Sequence, residues 1–381
     1  MTKKKGFYQR VAKPVLFALS PDFVHSATMN LLAVAGEVPG LPEGVHASFA
    51  KRHPELESSW QGIYFSSPVG LSAGLDKNAQ GVKIMQSVGF GFSEVGSVTA
   101  RRCDGNPRPW FYRLPKTQSL VVHAGLPNIG IDGVMKRLER LPKKWQRDYP
   151  TILSVARTND EAASSDDAGI ADFMVSVTRA MASPAVQMVE LNISCPNAFV
   201  GERFTDPALL KRLLAALAKL TITKPILIKM PIELSWEETD ALITIADESG
   251  IVAGFTFGNL RKDRTGVALK DELPDTVEGG LSGAPTRELS TQLIAKTYQK
   301  YGDKFLLIGV GGILSAKDAY EKIKAGATYV ELVTGLILNG PSFVEDVNSG
   351  LVRLLKKDGY AHISEAVGAG NRRPLDTTLK K

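Results

Sequence analysis

A chain of 381 residues can bury a large core, and its length suits either two modest domains or one large α/β barrel with an extra segment. With 44% hydrophobic and 23% charged residues it has the make-up of an ordinary globular protein, and no apolar run reaches the ~18–20 residues that span a bilayer. The net charge of +6 is scattered apart from Lys3, Lys4, Lys5 and the tail, which argues against a nucleic-acid footprint and favours an anionic membrane surface; two cysteines, Cys103 and Cys195, are too few for a disulfide framework.

The first segment, "MTKKKGFYQR", lacks the apolar core and cleavage site of a secretory signal, so a cytoplasmic protein is expected. Residues 7–40 read as two short helices, the second with Ser20 as N-cap and Pro21 at its first helical position. Their apolar residues, among them Phe7, Val11, Val15 and Phe17 in one and Val24, Met29, Leu31 and Leu32 in the other, exceed what a short helix buries beneath itself. Either they pack on the base of the following domain, or they form an anchor lying in a membrane interface. Residues 1–45 are expected to form this unit and 46–381 the main domain.

From about residue 61, short apolar runs alternate with helical stretches. The runs lie at 63–75, 91–99, 151–158, 186–194, 225–231, 252–259, 304–312 and 328–336, and several are nearly continuous Val, Ile and Leu, as parallel strands covered on both faces require. Between them, "DPALLKRLLAALAKL" opens on Asp206 as N-cap, and "SAKDAYEKIKAGA" closes on a glycine. About eight such units predict a (β/α)8 TIM barrel; the rival is a doubly wound sheet with a second domain. Barrel enzymes build their sites at the C-terminal strand ends. There this chain carries Lys77, Ser97, Asn192 with Cys195, Lys229, Asn259, Gly311 with Gly312, and Thr334.

Lys229 stands inside "PILIKMP", where burial demands an anionic or electron-rich partner unless its side chain snorkels out at the strand end. Gly311 and Gly312, then Thr334 and Gly335 on the next unit, resemble the phosphate cradle that barrels make after strands seven and eight, and "GGLSG" adds Ser282. With no G-x-G-x-x-G fingerprint after a strand, a mononucleotide fits better than NAD. Cys195 is either a small buried thiol or, set among Asn192, Ser194 and Asn197, a proton acceptor facing a planar polar ligand. No histidine or second cysteine lies at metal-ligand spacing from it, and no GxSxG elbow is present.

The segments "SPVGLSAGLDKN", "GFGFSEVGSVTARRCDGNPRPWFYRLP", "LNISCPN", "KPILIKMP", "GGLSGAPTRELST", "LIGVGGILSAKDAYEKIKAGATYVELVTGLILNGP" and "EAVGAGNRR" carry a resemblance. From about residue 7 to 373 the chain resembles the dihydroorotate dehydrogenase family, and in layout its quinone-linked, membrane-associated class 2 branch. The resemblance implies an FMN-containing barrel that oxidises dihydroorotate to orotate for pyrimidine biosynthesis and passes the electrons to a quinone. It implies that Ser72, Ala73, Gly74, Gly96, Ser97, Lys229, Ser282, Gly283, Gly311, Gly312 and Thr334 hold FMN. Lys77, Asn192, Asn197 and Asn259 are then expected to hold the substrate, Cys195 to act as base, and His25 and Arg113 to line the quinone path.

Several positions depart from the class 2 pattern. Cys195 stands where that branch has serine and matches the soluble class 1 branch; a free thiol, with an ordinary pKa of ~8.5, is a plausible base. Val122 and Ala156 replace asparagines, Gly258 and Leu260 replace threonines, and Val333 replaces a tyrosine. Two other functions therefore stand beside the first: a related FMN oxidoreductase acting on another small, pyrimidine-like ring, for which "GERF" (201–204) also speaks, and a catalytically idle FMN-binding protein at a membrane surface.

Overall fold

The computed structural model describes residues 6–195 and 203–371. The eight apolar runs supply eight strands, β1 (Val69–Leu71), β2 (Phe92–Val98), β3 (Thr151–Val155), β4 (Met188–Asn192), β5 (Ile226–Met230), β6 (Val252–Phe257), β7 (Leu306–Val310) and β8 (Tyr329–Leu332). Each pairs in parallel with the next, and β8 closes on β1 through Val330 opposite Val69 and Leu332 opposite Leu71. The fold is thus the TIM barrel, not the doubly wound sheet.

Helices cover the outside because each presents an apolar stripe to the strands. In Pro207–Leu217 the buried positions are Leu209, Leu210, Leu213, Leu214 and Leu217, and Asp206 caps the helix by accepting from the Leu209 N–H at 2.9 Å. Each such leucine contributes roughly 1.5–3 kcal/mol of burial. Ser315 caps Ala316–Ala325 in the same way, and that helix ends at Gly326.

Two additions shape the ends of the barrel. The run at 63–75 splits: Ile63–Phe65 pairs antiparallel with Ser58–Trp60, and the Phe65 ring packs at 5.5 Å from Phe92 and 4.2 Å from Tyr329. Strands Phe111–Leu114, Ser119–Val122 and Gly280–Leu281 form a separate antiparallel sheet that sets Val122 opposite Gly280.

The N-terminal segment differs from two short helices. After a single π-helical turn, Tyr8–Ala12, come α1 (Lys13–Ala18), a 17-residue α2 (Pro21–Glu37) and α3 (Leu41–Phe49), which runs across residue 45. Pro21 opens α2 as expected, but the Ser20 side chain caps nothing; in the first turn Asp22 instead accepts from the Trp110 N–H at 3.0 Å. The segment lies over the C-terminal end of the barrel rather than its base. The Tyr8 hydroxyl donates to the Ile337 carbonyl at 2.6 Å and Lys13 Nζ to the Leu338 carbonyl at 2.9 Å, both beyond β8. Its outer side leaves Phe7 75%, Leu31 66% and Val34 65% exposed. Among the described residues no helix is long and apolar enough to cross a membrane.

Candidate active site

Side chains alternate along a strand, so a closed barrel is filled in layers drawn from alternate strands. At the bottom, Phe92, Met188 and Tyr329 come from β2, β4 and β8, and Ile152, Leu227 and Ile308 from β3, β5 and β7, all in one apolar cluster. Two residues further along the even strands the filling turns polar: Glu94, Glu190, Thr256 and Glu331 are each 0% exposed. On the odd strands the matching step brings Ser154 and Lys229.

Lys229 is the centre of this polar layer. Its Nζ lies 3.1 Å from Glu94 Oε2 and 3.5 Å from Glu190 Oε1; Glu94 Oε2 also accepts from the Ala73 N–H at 3.0 Å, and Ser154 Oγ donates to Glu190 at 3.1 Å. Burial disfavours the ammonium, but Glu190, Glu94 and Glu331 outweigh it and raise the Lys229 pKa. Burial also opposes ionisation of Glu94, yet Lys229 and the neighbouring carboxyls bring its pKa down to about 2. Glu190 and Glu331 are pushed well above the usual carboxylate range, by burial first and then by the Glu94 charge. Of the three carboxyls Glu94 is thus the most readily ionised, and burial beside its charge disfavours ionisation of the other two. Lys229 is thus buried and partnered within the barrel, which disposes of the snorkelling alternative.

Above this floor the strand ends hold a rim of hydrogen-bonded groups. Asn192 Nδ2 donates to Ser97 Oγ at 2.7 Å, and Ser97 Oγ meets Ser154 Oγ at 3.0 Å. Asn259 Nδ2 donates to the Ser194 carbonyl at 2.7 Å and to Ser194 Oγ at 2.8 Å, which in turn donates to the Lys229 carbonyl at 3.0 Å. These bonds fix both asparagine side chains, which line the same cavity as Cys195. The Cys195 side chain packs against Cys103, Leu126 and Ala156. Lys77 donates to the Gly74 carbonyl; burial pushes its pKa down to about 8, with Asp76 and Cys195 limiting the fall.

Opposite lies a corner built from glycines. Gly311 and Gly312 hold φ of +100° and +69°, and a Cβ at Gly312 would meet Arg287 Cβ at 2.4 Å. Such positions admit glycine alone and bring main chain, not side chain, to the surface. Ser282 Oγ and Thr334 Oγ1 are 2.9 Å apart at its edge. A Cβ on Gly283 would strike the Gln118 carbonyl at 2.3 Å.

One cavity of about 490 Å³ joins these groups to the N-terminal segment. That volume lies in the range of sites that enclose a small ligand or cofactor. On the outer side it is lined by Tyr8, Leu16, Val24, His25 and Arg113. His25 Nε2 sits 3.0 Å from the Leu75 carbonyl and must donate there, so Nδ1 is the acceptor. Burial, then the Lys77 charge, lowers the His25 pKa to about 4, so the ring is neutral at physiological pH. Arg113 Nη1 donates to the Leu19 carbonyl at 2.8 Å, and its guanidinium lies 4.7 Å from the Phe17 ring centroid.

The residues singled out from the sequence converge on this cavity. Ser72, Ala73, Gly74, Lys77, Ser97, Asn192, Cys195, Lys229, Asn259, Ser282, Gly283, Gly311, Gly312, Thr334, His25 and Arg113 all line it. Gly96 is not among them; its carbonyl accepts from the Gly74 N–H at 2.8 Å and so supports the loop that is. Asn197 and the first two residues of "GERF", 201 and 202, lie outside the described residues. Val122, Gly258, Leu260 and Val333 line the cavity, whereas Ala156 is buried beside Cys103. The sequence motifs did not single out Glu94, Glu190 or Glu331. Their signal was a glutamate within each of three strand runs, in "SEV" at 93–95 and in "VEL" at 189–191 and 330–332.

A barrel with a glycine-walled corner, a buried lysine and a thiol at its C-terminal end defines the class of cofactor-dependent barrel oxidoreductases. Comparison with known proteins narrows this. The family model described as "Dihydroorotate dehydrogenase" matches residues 55–355. A curated "Dihydroorotate dehydrogenase (quinone)" from Anaeromyxobacter dehalogenans (strain 2CP-C) is 36% identical over 365 residues, covering 94% of this chain and 96% of that protein. Another of the same name, from Mycolicibacterium smegmatis, is 33% identical and covers 95% of this chain and 99% of its own length. Among solved structures, a DHODH from Eimeria tenella in complex with ferulenol superposes with a TM-score of 0.81 at 27% identity, over 94% of this chain and 99% of that one. The chain belongs to the dihydroorotate dehydrogenase family, whose members are flavin-dependent oxidoreductases.

Proposed function

We propose that this protein oxidises dihydroorotate to orotate with FMN as cofactor and a quinone as acceptor, and that Cys195 takes the substrate proton. The observation that carries this is the single cavity that runs from the glycine corner, past Lys77, Asn192, Asn259 and Cys195, to the N-terminal helices. Its residues suit FMN: Gly311, Gly312 and Thr334 offer a phosphate corner, with Ser282 and Gly283 beside it. Ser72, Ala73, Gly74 and Ser97 supply small polar groups and main chain along the wall, and Lys229, a buried ammonium that lines the cavity, would help to hold the cofactor. FMN, when bound, supplies the hydride acceptor and relays the electrons.

The protein's own residues do the rest. Lys77 meets the substrate carboxylate, and Asn192 and Asn259, with Asn197, hydrogen-bond the ring amides. Cys195 Sγ removes the proton from the carbon beside the one that loses hydride. Burial beneath the rim excludes water and strengthens each of these contacts. His25 and Arg113 face the path by which a quinone reaches the site, His25 as a neutral acceptor. The exposed Phe7, Phe23, Leu31 and Val34 suit shallow insertion into one leaflet, which makes residues 1–45 the membrane-associated unit of a protein on the cytoplasmic side. A second reading, a related pyrimidine-like ring as substrate, rests on the apolar Val122 and Leu260 in the cavity wall.

Two measurements test this. Anaerobic dihydroorotate should bleach the flavin of the purified protein, and a short-chain quinone should restore it. A flavin that stays oxidised under excess dihydroorotate, yet bleaches with another ring, gives the second reading. Because Lys77 loses its proton as pH rises through about 8, attraction for the carboxylate is present below that pH and lost above it. The KM for dihydroorotate should climb across that pH, and Lys77→Met should show a high KM with no such climb. A wild-type KM that stays flat contradicts the carboxylate role.

A further inference from the structure

Lys322 stands in the helix Ala316–Ala325, 0% exposed, outside the cavity and behind its glycine corner. The stem of its side chain runs beside β7: a Cβ on Gly309 would lie 3.2 Å from Lys322 Cδ. Its Nζ donates to the Arg287 carbonyl at 3.2 Å, to Thr291 Oγ1 at 2.9 Å and to Ser290 Oγ, and a Cβ on Gly311 would lie 3.5 Å from that same Ser290 Oγ. One hydroxyl thus separates the ammonium from the Gly311 main chain.

All three acceptors are neutral, and among the described residues no carboxylate pairs with Lys322. The charges acting on it are Arg287 and Glu288 on the facing helix, Arg287–Tyr301, and Asp318 and Glu321 on its own. Burial first, and then the Arg287 charge, lowers its pKa to about 7, with the three carboxylates limiting the fall. A buried cation without a counter-ion is costly, so packing alone does not explain a lysine here. The same network reaches the corner itself. Arg287 Nε donates to the Gly312 carbonyl at 2.8 Å, Arg287 Nη1 pairs with Asp318 at 3.0 Å, and Asp318 Oδ2 accepts from the Leu314 N–H at 3.0 Å.

We propose that Lys322 is a positioning residue for the cofactor's phosphate: it fixes the first turn of the helix Arg287–Tyr301, and through Arg287 the Gly311–Gly312 turn, so that the corner is set for an anion that supplies the missing counter-charge. The proposal rests on the FMN reading above. Lys322 itself touches neither cofactor nor substrate. Its role accounts for a lysine on the buried stripe that Ala319, Tyr320 and Ile323 otherwise form.

The test is binding of FMN and of riboflavin to the apoprotein, followed by quenching of flavin fluorescence, since the two ligands differ in the phosphate alone. Lys322→Met keeps most of the side chain's length and removes its charge; it should bind FMN about tenfold or more weakly and riboflavin within about twofold of wild type. Arg287→Met should show the same split, and the double variant should lose little more than either alone, because the two residues act in series. Equal FMN affinity in wild type and Lys322→Met overturns the proposal, as do losses that simply add in the double variant. An equal loss for both flavins also overturns it, because that marks a residue that only supports the fold. If Lys322→Met does not fold, Lys322→Gln, which keeps a donor but no charge, is judged by the same split. A wild-type apoprotein that takes up no FMN, or that binds riboflavin as tightly, overturns the phosphate corner itself, and this proposal with it.

Discussion

Cys195→Ala should retain FMN and lose substrate-driven flavin reduction by about 10²–10⁴-fold, the usual contribution of a positioned general base. The glycine corner lies on the loops after β7 and β8, while Cys195 follows β4, so removing one sulfur leaves the corner intact. Its packing partners Cys103, Leu126 and Ala156 lose little contact when sulfur becomes a methyl hydrogen. Cys195→Ser should fall between the two, because the hydroxyl is far less acidic than a thiol. Stopped-flow bleaching with dihydroorotate reads the step directly. Near-normal bleaching in Cys195→Ala, with flavin content unchanged, would remove Cys195 from the base position.

Lys229→Met should cost more than the cofactor contact. Among the described residues Lys229 is the only cation set among the three buried glutamates, and Glu94 depends on it at 3.1 Å. Breaking a buried pair from one side typically costs about 3–5 kcal/mol, because the remaining charge must be neutralised or rehydrated. The expected protein is colourless as purified, with FMN affinity down by about 100-fold or more and a lower melting temperature even without flavin. The second change is diagnostic, since loss of a cofactor contact alone leaves the apoprotein's melting point untouched. A companion substitution that makes the layer neutral, Lys229→Met with Glu94→Gln, should recover much of the melting temperature but not the flavin. A yellow Lys229→Met protein melting like wild type contradicts both roles.

Much of the barrel was legible in the primary structure because its strands are covered on both faces. Parallel strands under a shell of helices need continuous apolar runs, and "TILSV", "PILIKM" and "KFLLIGV" stand out for that reason. The helix starts at Asp206 and Ser315 were legible too, since capping is a local bond between neighbours in sequence. The N-terminal segment was less so. An amphipathic pattern shows that a face must be covered but not by what, and the bonds from Tyr8 and Lys13 to Ile337 and Leu338 join positions more than 300 residues apart. Hence its place above the cavity, and the run of α3 across residue 45, came only with the fold.

The candidate site divides along the same line. Residue types and their order announced Lys77, Asn192, Cys195, Lys229, Asn259 and the glycine corner, because each is chemically conspicuous within its own strand or loop. By itself the sequence determined the barrel, the glycine-built corner and a thiol between asparagines. The tertiary structure alone decided that Glu94, Glu190 and Glu331 meet at Lys229. That convergence depends on strand register around a closed barrel, where residues of β2, β4, β5 and β8 share one level although roughly 240 positions separate the first from the last.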